Sequence, residues 1–552
     1  MMSKAITRFG LFVIVILTGC TPKGSRKPID KPRLVIGIVI DQMRADYLER
    51  FSHNFGARGF NRLIRNGFYN KNTHYNYVPT ATAPGHASIF TGTTPSNHGI
   101  VGNKWYDREL KREITSVEDS KEAILGLNGI EKEHSKVSAS PRRLLAHTIS
   151  DQLKLQSPLS KVIGVSLKDR SAILPAGHLA DYALWYDKQY GQMVTSTYYG
   201  EKAPIWLAKF NARKLPDSLL SQTWSPLKGL EEYQGSEPDD SPYEKIYNGK
   251  NKAVFPYDLS ELRKENGGYG LLWETPFGNT LVTKTAKEVI QAEQLGQDDI
   301  LDFLSVSYSS TDLVGHAFGV RSKELEDTYA RMDWEVAELL SFLDRKVGAD
   351  NYLVFLTADH GAADHPGFLQ DKGLPGKFFN QTLIKETTNR SLQSVSYKQE
   401  PFLYYGYSQV YLTEEAKYDL QKDPSHRKPL LKALEQMKGV KSVSYLKTLT
   451  DNEVPAGHME NIVRGYHQGR SGDIYIAYHP GWLHYRKHGA SHGTFYKYDT
   501  HVPLIWYGTK IRKGESFSKV SITDIAPTLS MMLDIPLPNA ATGQPIVEIL
   551  SR

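Results

Sequence analysis

The chain has 552 residues, of which 40% are hydrophobic and 23% charged. That balance excludes a disordered or fibrous polymer and leaves room for a large core or more than one domain. The formal charge of +6 is small for this length, and no dense Lys/Arg block with interleaved aromatics occurs, so a nucleic-acid duplex is not an expected partner.

Lys4 and Arg8 precede the apolar run Leu11 to Leu17, followed by Thr18-Gly19-Cys20. A positive start, a short apolar stretch and small residues predict a signal peptide over residues 1–19. The run is too short for a membrane span, which takes roughly 20 residues. Leu17-Thr18-Gly19-Cys20 resembles the bacterial lipoprotein lipobox, which implies cleavage before Cys20, a lipid on its sulfur, and a protein exported and held on the cell envelope. Cys20 is the single cysteine, so no intrachain disulfide can form. Residues 20–32 are polar and proline-rich and are expected to be a tether.

A catalytic domain is expected over 33–548. Arg33–Ile40 is a continuous β-branched run, as in a strand buried on both faces of a parallel sheet. Similar runs are Lys161–Leu167, Asp302–Tyr308, Tyr352–Thr357 and Val502–Tyr507, with helical spacing between them, for example Glu324–Leu343. The expected class is α/β: a mostly parallel central sheet with helices on both faces, plus inserted cap segments. Two stretches with weaker periodicity, near 180–290 and 370–470, are expected to be insertions lying over the site; the second includes a helix over Pro429–Met437. Ile522–Leu533 is expected to be a Thr/Asp-started helix on the sheet.

In such sheets, ligands bind beyond the carboxyl ends of the strands. Asp41, Lys168 and Asp359-His360 each follow a strand-like run. Carboxylates and imidazoles gathered from several loops suit divalent metals, so Asp41, Thr82, Asp312, His316, Asp359, His360 and His492 form one candidate constellation. Asp312 and His316 stand at i and i+4, on one face of a helical turn. Asp359-His360 is costly at the end of a buried strand unless it binds something; Asp364-His365 is the competing pair. His492 lies between glycines, with His488 as its rival, and His86, His98 and His501 are expected to be structural.

Thr82, just before Pro84, is expected at a helix N-cap, where backbone N–H groups favour an anion. Its hydroxyl needs activation to act as a nucleophile, which the Asp/His set would supply; Thr80 is the nearest rival. Lys168 and Arg170, at i and i+2, would share a face of an extended segment and grip one phosphoryl group. Asn103 could donate its amide to the same group. Phosphate monoester hydrolysis requires up to ~10²¹-fold acceleration. Charge-assisted hydrogen bonds contribute about 1.5–3 kcal/mol each, so three such groups fall short and metals must carry much of the rest.

Seven segments carry a family resemblance: Val39–Arg44, Pro79–His86, Asn97–Asn103, Ser166–Arg170, Ser310–His316, Thr357–Gly361 and Ser491–Gly493. Together they resemble the alkaline phosphatase superfamily, most nearly its single-domain Bacteroidota-type zinc enzymes, with nucleotide pyrophosphatase/phosphodiesterases as relatives. The resemblance implies two Zn²⁺ per chain, one on Asp312, His316 and His492 and the other on Asp41, Asp359 and His360 with Thr82 as the attacking group. It implies a phosphothreonine intermediate, with Asn103, Lys168 and Arg170 binding the phosphoryl group. Small phosphate monoesters are the expected substrates, over a broad range and at alkaline pH; no protein partner is expected. The Lys168/Arg170 pair favours a monoester over a diester. A sulfatase is disfavoured because Thr82–His86 departs from the Cys/Ser-x-Pro-x-Arg pattern. A substrate-binding lipoprotein without catalysis and a surface-glycan binder, suggested by 32 Tyr and 8 Trp, are the non-enzymatic alternatives.

Overall fold

The computed structural model describes residues 31–128, 138–393, 395–449, 457–484 and 486–550. The expected signal segment, Cys20 and the tether up to Asp30 lie outside the described residues. The centre of the fold is five parallel neighbours, Tyr352–Thr357, Leu34–Ile40, Asp302–Tyr308, Val162–Ser166 and Tyr182–Asp187, in that order across an eleven-stranded sheet. Every residue of the first four is buried. This explains their unbroken apolar runs: both faces are covered, so no polar alternation is needed. The register pairs Val39 with both Ser307 and Thr357, and Ser307 with Ser166. The four strands therefore end together, and the residues that follow them emerge along one edge of the sheet.

One expected parallel strand runs the other way. Val502–Tyr507 falls inside His501–Gly508, which is antiparallel to both Tyr352–Thr357 and Phe68–His74. Its core residues, Trp506 among them, are fully buried. An apolar run thus reports burial on both faces and not strand direction.

The long helix is Lys323–Lys346, opened by Ser322, whose hydroxyl accepts from the Leu325 N–H. The helix expected from Pro429 begins a turn and a half earlier, at Pro424, where Asp423 accepts from the Ser425 N–H; Pro429 lies inside it. An Asp-Pro start satisfies a free N–H and needs none from proline, so it outranks the later proline as the opening signal. Ile522–Leu533 divides into a 3₁₀ turn, Ile522–Asp524, and a helix, Ile525–Leu533.

The 180–290 stretch contributes Tyr182–Asp187 and Gln192–Ser196 to the central sheet before continuing into helices. The 370–470 stretch builds structure of its own. Phe402–Gly406, Gln409–Leu412, Ile474–Tyr478 and Val440–Tyr445 form an antiparallel four-stranded sheet. Ile384, Leu412, Leu430, Leu434, Ile474 and Ile476 pack as a separate apolar core beside it. Lys377–Phe379 and Trp482–His484 pair in parallel at its margin.

Candidate metal centre

Two donor groups form at the shared sheet edge. Asp312, His316 and His492 make one; Asp41, Asp312 and His360 make the other, each with its ligand atoms within 4.8 Å of one another. Asp312 belongs to both. Its Oδ1 is 3.1 Å from His316 Nε2 and 3.8 Å from His492 Nε2. Asp41 Oδ1 is 3.5 Å from His360 Nε2, and Asp359 Oδ2 is 3.8 Å from the same nitrogen. Asp359 Oδ2 thus lies as near His360 Nε2 as His492 Nε2 lies to Asp312 Oδ1. All seven expected residues except Thr82 are tied together by these distances.

The three imidazoles share one orientation. His316 Nδ1 faces the Ala490 carbonyl at 2.8 Å, His492 Nδ1 the Thr80 carbonyl at 2.8 Å, and His360 Nδ1 the Gly361 carbonyl at 2.9 Å. A proton held on Nδ1 by a carbonyl leaves Nε2 as a lone-pair donor, as metal-ligating histidines require. The Arg486 guanidinium also lies 2.7 Å from His316 Nδ1. A guanidinium only donates, so it cannot share that nitrogen with a carbonyl acceptor; the Ala490 contact is the one compatible with an inward lone pair. The His360 and His492 rings stack with centroids 3.6 Å apart.

Burial makes this cluster expensive unless it is neutralised. Asp41, Asp359 and His360 are fully buried, and Asp41 Oδ1, Asp359 Oδ2 and His360 Nε2 have no hydrogen-bond partner. Burial, then the Asp312 and Asp359 charges, push Asp41 well above the usual carboxylate range. Burial likewise lifts Asp359 to about 7. Against its own burial, Asp312 is held well below that range by His316, Lys168 and His492. Burial keeps His316 neutral by lowering it to about 4, and drives His492 well below its ordinary value. Neutral imidazoles, carboxylates in mixed array and three unpartnered inward atoms fit divalent cations.

Thr82 opens the Thr82–Thr91 helix as its first residue, one place inside the expected N-cap, which is Ala81. No side chain of the helix's own caps it; instead Asn103 Oδ1 accepts from the Ala83 N–H at 2.7 Å. Asn103 is thus pinned beside Thr82 by its oxygen, with its NH₂ left to donate elsewhere. The Gly85 position lets this helix approach the Asp359 backbone, since an added Cβ would stand 2.3 Å from the Asp359 oxygen.

Lys168 is 2% exposed, and its Nζ donates to Asp41 Oδ2 and Asp312 Oδ2, each at 2.6 Å. Arg170 does not share an extended face with it. Lys168 is the N-cap of the Asp169–Ala176 helix, and Arg170 lies in that helix's first turn. The helix rotates successive side chains by about 100°, so the period-two argument fails there. Arg170 is nonetheless close enough for its charge to act on Lys168, His86 and Tyr407, and its Nε is buried without a hydrogen-bond partner.

The rivals resolve on geometry. Thr80 Oγ1 donates to the Thr494 carbonyl at 2.8 Å, which occupies its hydroxyl proton. Asp364 is paired with Arg321 and Arg44, and His365 caps the Pro366–Asp371 helix. His488 joins neither donor group. His86 bridges the Thr82 carbonyl and Ser307 Oγ, His98 meets Ser88 Oγ, and His501 meets the Lys71 carbonyl.

Two residues escaped sequence reasoning. Gln42, at φ +64°, donates its N–H to Asp359 Oδ1 at 3.1 Å and its Nε2 to Asp312 Oδ1 at 2.5 Å, linking the donor groups. Gly315 admits it, because a Cβ there would meet Gln42 Oε1 at 2.1 Å. Tyr407 and Ser408 form the hairpin tip between Phe402–Gly406 and Gln409–Leu412 with φ of +50° and +63°. The Tyr407 hydroxyl accepts from the Asn103 N–H at 3.2 Å. Gly406 marks the turn in sequence; nothing local reveals its reach to Asn103.

A family model described as type I phosphodiesterase / nucleotide pyrophosphatase matches residues 35–502. Three relatives are each 39% identical: alkaline phosphatase PafA of Elizabethkingia meningoseptica, over 98% of this chain and 99% of that one; a calcium-transporting ATPase of Myroides odoratus, over 95% and 96%; and alkaline phosphatase PhoV of Synechococcus elongatus, over 95% and 94%. The crystal structure of wild-type PafA superposes with a TM-score of 0.88 at 40% identity, covering 94% of this chain and 99% of that one. A crystal structure of a PafA variant carries substitutions of a threonine, an asparagine, a lysine and an arginine.

Proposed function

This chain belongs to the type I phosphodiesterase / nucleotide pyrophosphatase family, and from that premise we propose that it is an alkaline phosphatase: it hydrolyses phosphate monoesters through a phosphothreonine on Thr82. The carrying observation is the pair of donor groups sharing Asp312, with the helix that Thr82 opens packed against Asp359 at Gly85. Full-length similarity to two proteins named alkaline phosphatase supports the reaction class. The threonine, asparagine, lysine and arginine replaced in the PafA variant have the same types, at the same Thr-to-Asn and Lys-to-Arg spacings, as Thr82, Asn103, Lys168 and Arg170.

Asp41, His360 and Asp359 would hold one divalent cation, and Asp312, His316 and His492 the other; mixed N/O donors and the family resemblance make zinc our assignment. Such cations, when bound, acidify a hydroxyl and neutralise charge on the phosphoryl and leaving oxygens. The chain's own residues do the rest. Thr82 presents its hydroxyl at a helix N-terminus, where the dipole favours the anion. Asn103, oxygen-pinned on Ala83, offers N–H donors to a phosphoryl oxygen. Lys168 and Arg170 place positive charge on the non-transferred oxygens, where a monoester carries more negative charge than a diester. Attack forms the Thr82 O–P bond and breaks the bond to the leaving alcohol; water then cleaves the phosphothreonine. Rising pH makes the deprotonated hydroxyl more available, which underlies the alkaline working range we assign.

The name of the Myroides relative shares phosphoryl hydrolysis with this reading. Among the described residues no helix is long and apolar enough to cross a membrane, and we carry over no transport role. We further propose export and anchoring through a lipid on Cys20; radiolabelled palmitate should enter the native chain and not Cys20→Ala. The test of the reaction is the turnover ratio of nitrophenyl phosphate to its methyl diester. A ratio well above one, with Thr82→Ala at least ~10³-fold slower on the monoester, is expected. A ratio below one would instead make the enzyme a phosphodiesterase on the same donors.

A further inference from the structure

A cleft of ≈ 310 Å³ opens against the Asp312 group: Asn103, His316, His492, Ser491 and Thr494 line one end. Asp41, Asp359 and Lys168 do not line it. The cleft therefore leads away from the centre over the His316/His492 side. A phosphoryl group held at Asn103 would send its leaving group into it. Its far wall comes from the cap and is aromatic: Phe379, Tyr405, Tyr407, Tyr478 and Trp482.

The rings of the wall pack on one another. Phe379 lies flat on Tyr478, with centroids 4.0 Å apart and an interplanar angle of 7°, and meets Tyr405 and His484 in T-shaped contacts. The Tyr405 and Tyr478 hydroxyls join at 3.0 Å behind it. Phe379 pairs with His484, and Lys377 with Trp482, so one short parallel ladder fixes Phe379 and Trp482 together. The Tyr407 ring completes the wall next to Asn103. Flat rings in a pocket of this size favour a flat partner, because offset stacking adds about 0.5–1.5 kcal/mol beyond area burial.

We propose that this cleft is a leaving-group subsite selective for phosphate monoesters with a planar aromatic leaving group. The inference rests on the phosphatase reading and narrows it. Binding to the zinc-loaded full chain tests it with two non-hydrolysable probes of like charge and size, phenylphosphonate and cyclohexylphosphonate. Phenylphosphonate should bind about 3–10-fold more tightly. Phe379→Leu, or Trp482→Leu should the first fail to fold, should bring the ratio near one while inorganic phosphate binding stays unchanged. Adenosine 5′-phosphate against ribose 5-phosphate, compared by KM, separates a nucleobase from a directly attached aryl ring; preference in either arm supports the subsite. Equal binding of the two phosphonates together with equal KM values would overturn it and leave the phosphatase reading standing. An unchanged phosphonate ratio in a folded Phe379→Leu would also overturn it. Failure of every phosphate and phosphonate to bind would sink both.

Discussion

Two places in this molecule bury several carboxylates together, and they treat them differently. At the sheet edge, Asp41 and Asp312 share Lys168, and Asp312 also faces His316 and His492. About the start of the long helix, Glu324, Glu244 and Asp239 come together with no Lys, Arg or His nitrogen within 4 Å of any of them, among the described residues. Each leaves one oxygen without a hydrogen-bond partner. Burial, then the neighbouring acids, push Glu244 far above the usual carboxyl range, and burial does the same to Glu324. Within the same helix turn, Glu326 meets His53 and Asn54, and Asp327 meets Arg331. What a buried acid becomes depends on the balance of cations and acids that face it: Asp312, faced by His316, Lys168 and His492, is held well below the carboxyl range, while Asp41, flanked by Asp312 and Asp359, is pushed above it as Glu244 and Glu324 are.

Four substitutions test that contrast. Asp312→Asn should have the largest effect, at least ~10³-fold on kcat/KM with loss of bound metal by elemental analysis, because one cation loses its carboxylate and Lys168 loses one of its two acidic partners beside the other donor group. Full activity and full metal content in that variant would remove the basis of the site. Lys168→Ala should lower monoester kcat/KM about 10–100-fold, the equivalent of one charge-assisted contact, and diester turnover less. Gln42→Leu should cost on the order of 10-fold in metal affinity or activity, as loss of a hydrogen bond to a ligand usually does; a metal titration of the variant checks it.

Glu324→Gln should have the smallest effect on turnover, within about two-fold, and a visible effect on stability. The sign follows from the raised carboxyl. In the unfolded chain this acid loses its proton near its ordinary range, while the folded chain still holds it. Stability is therefore full on the acid side and declines as pH rises toward the folded value. Native protein should lose stability between pH 5 and pH 9 in urea unfolding, and Glu324→Gln should reduce that loss by about 1 kcal/mol or more, since each tenfold difference in proton affinity between the folded and unfolded chain is worth about 1.4 kcal/mol. A variant as pH-sensitive as the native chain would mean that Glu324 is ionised in the fold.

Much of this architecture was legible in the chain. Leu34–Ile40, Asp302–Tyr308 and Tyr352–Thr357 announced themselves as unbroken apolar runs, because two-sided burial is a local compositional demand. The residues beyond them stood out because an acid or histidine at the end of such a run needs a partner. Short-range signals also pointed to Thr82 beside Pro84 and to Asp312 four residues before His316. Tertiary structure alone decided the remainder. It made Asp312 common to both groups, turned Arg170 onto a helix, and brought Gln42 and Tyr407 to Asp312 and Asn103 across 270 and 304 residues of chain. The reason is physical: burial and capping are settled by neighbours along the chain. Distances of 2.5 to 4 Å between side chains on different strands depend on register, left-handed turns and glycine clearances that only the packed fold brings into being.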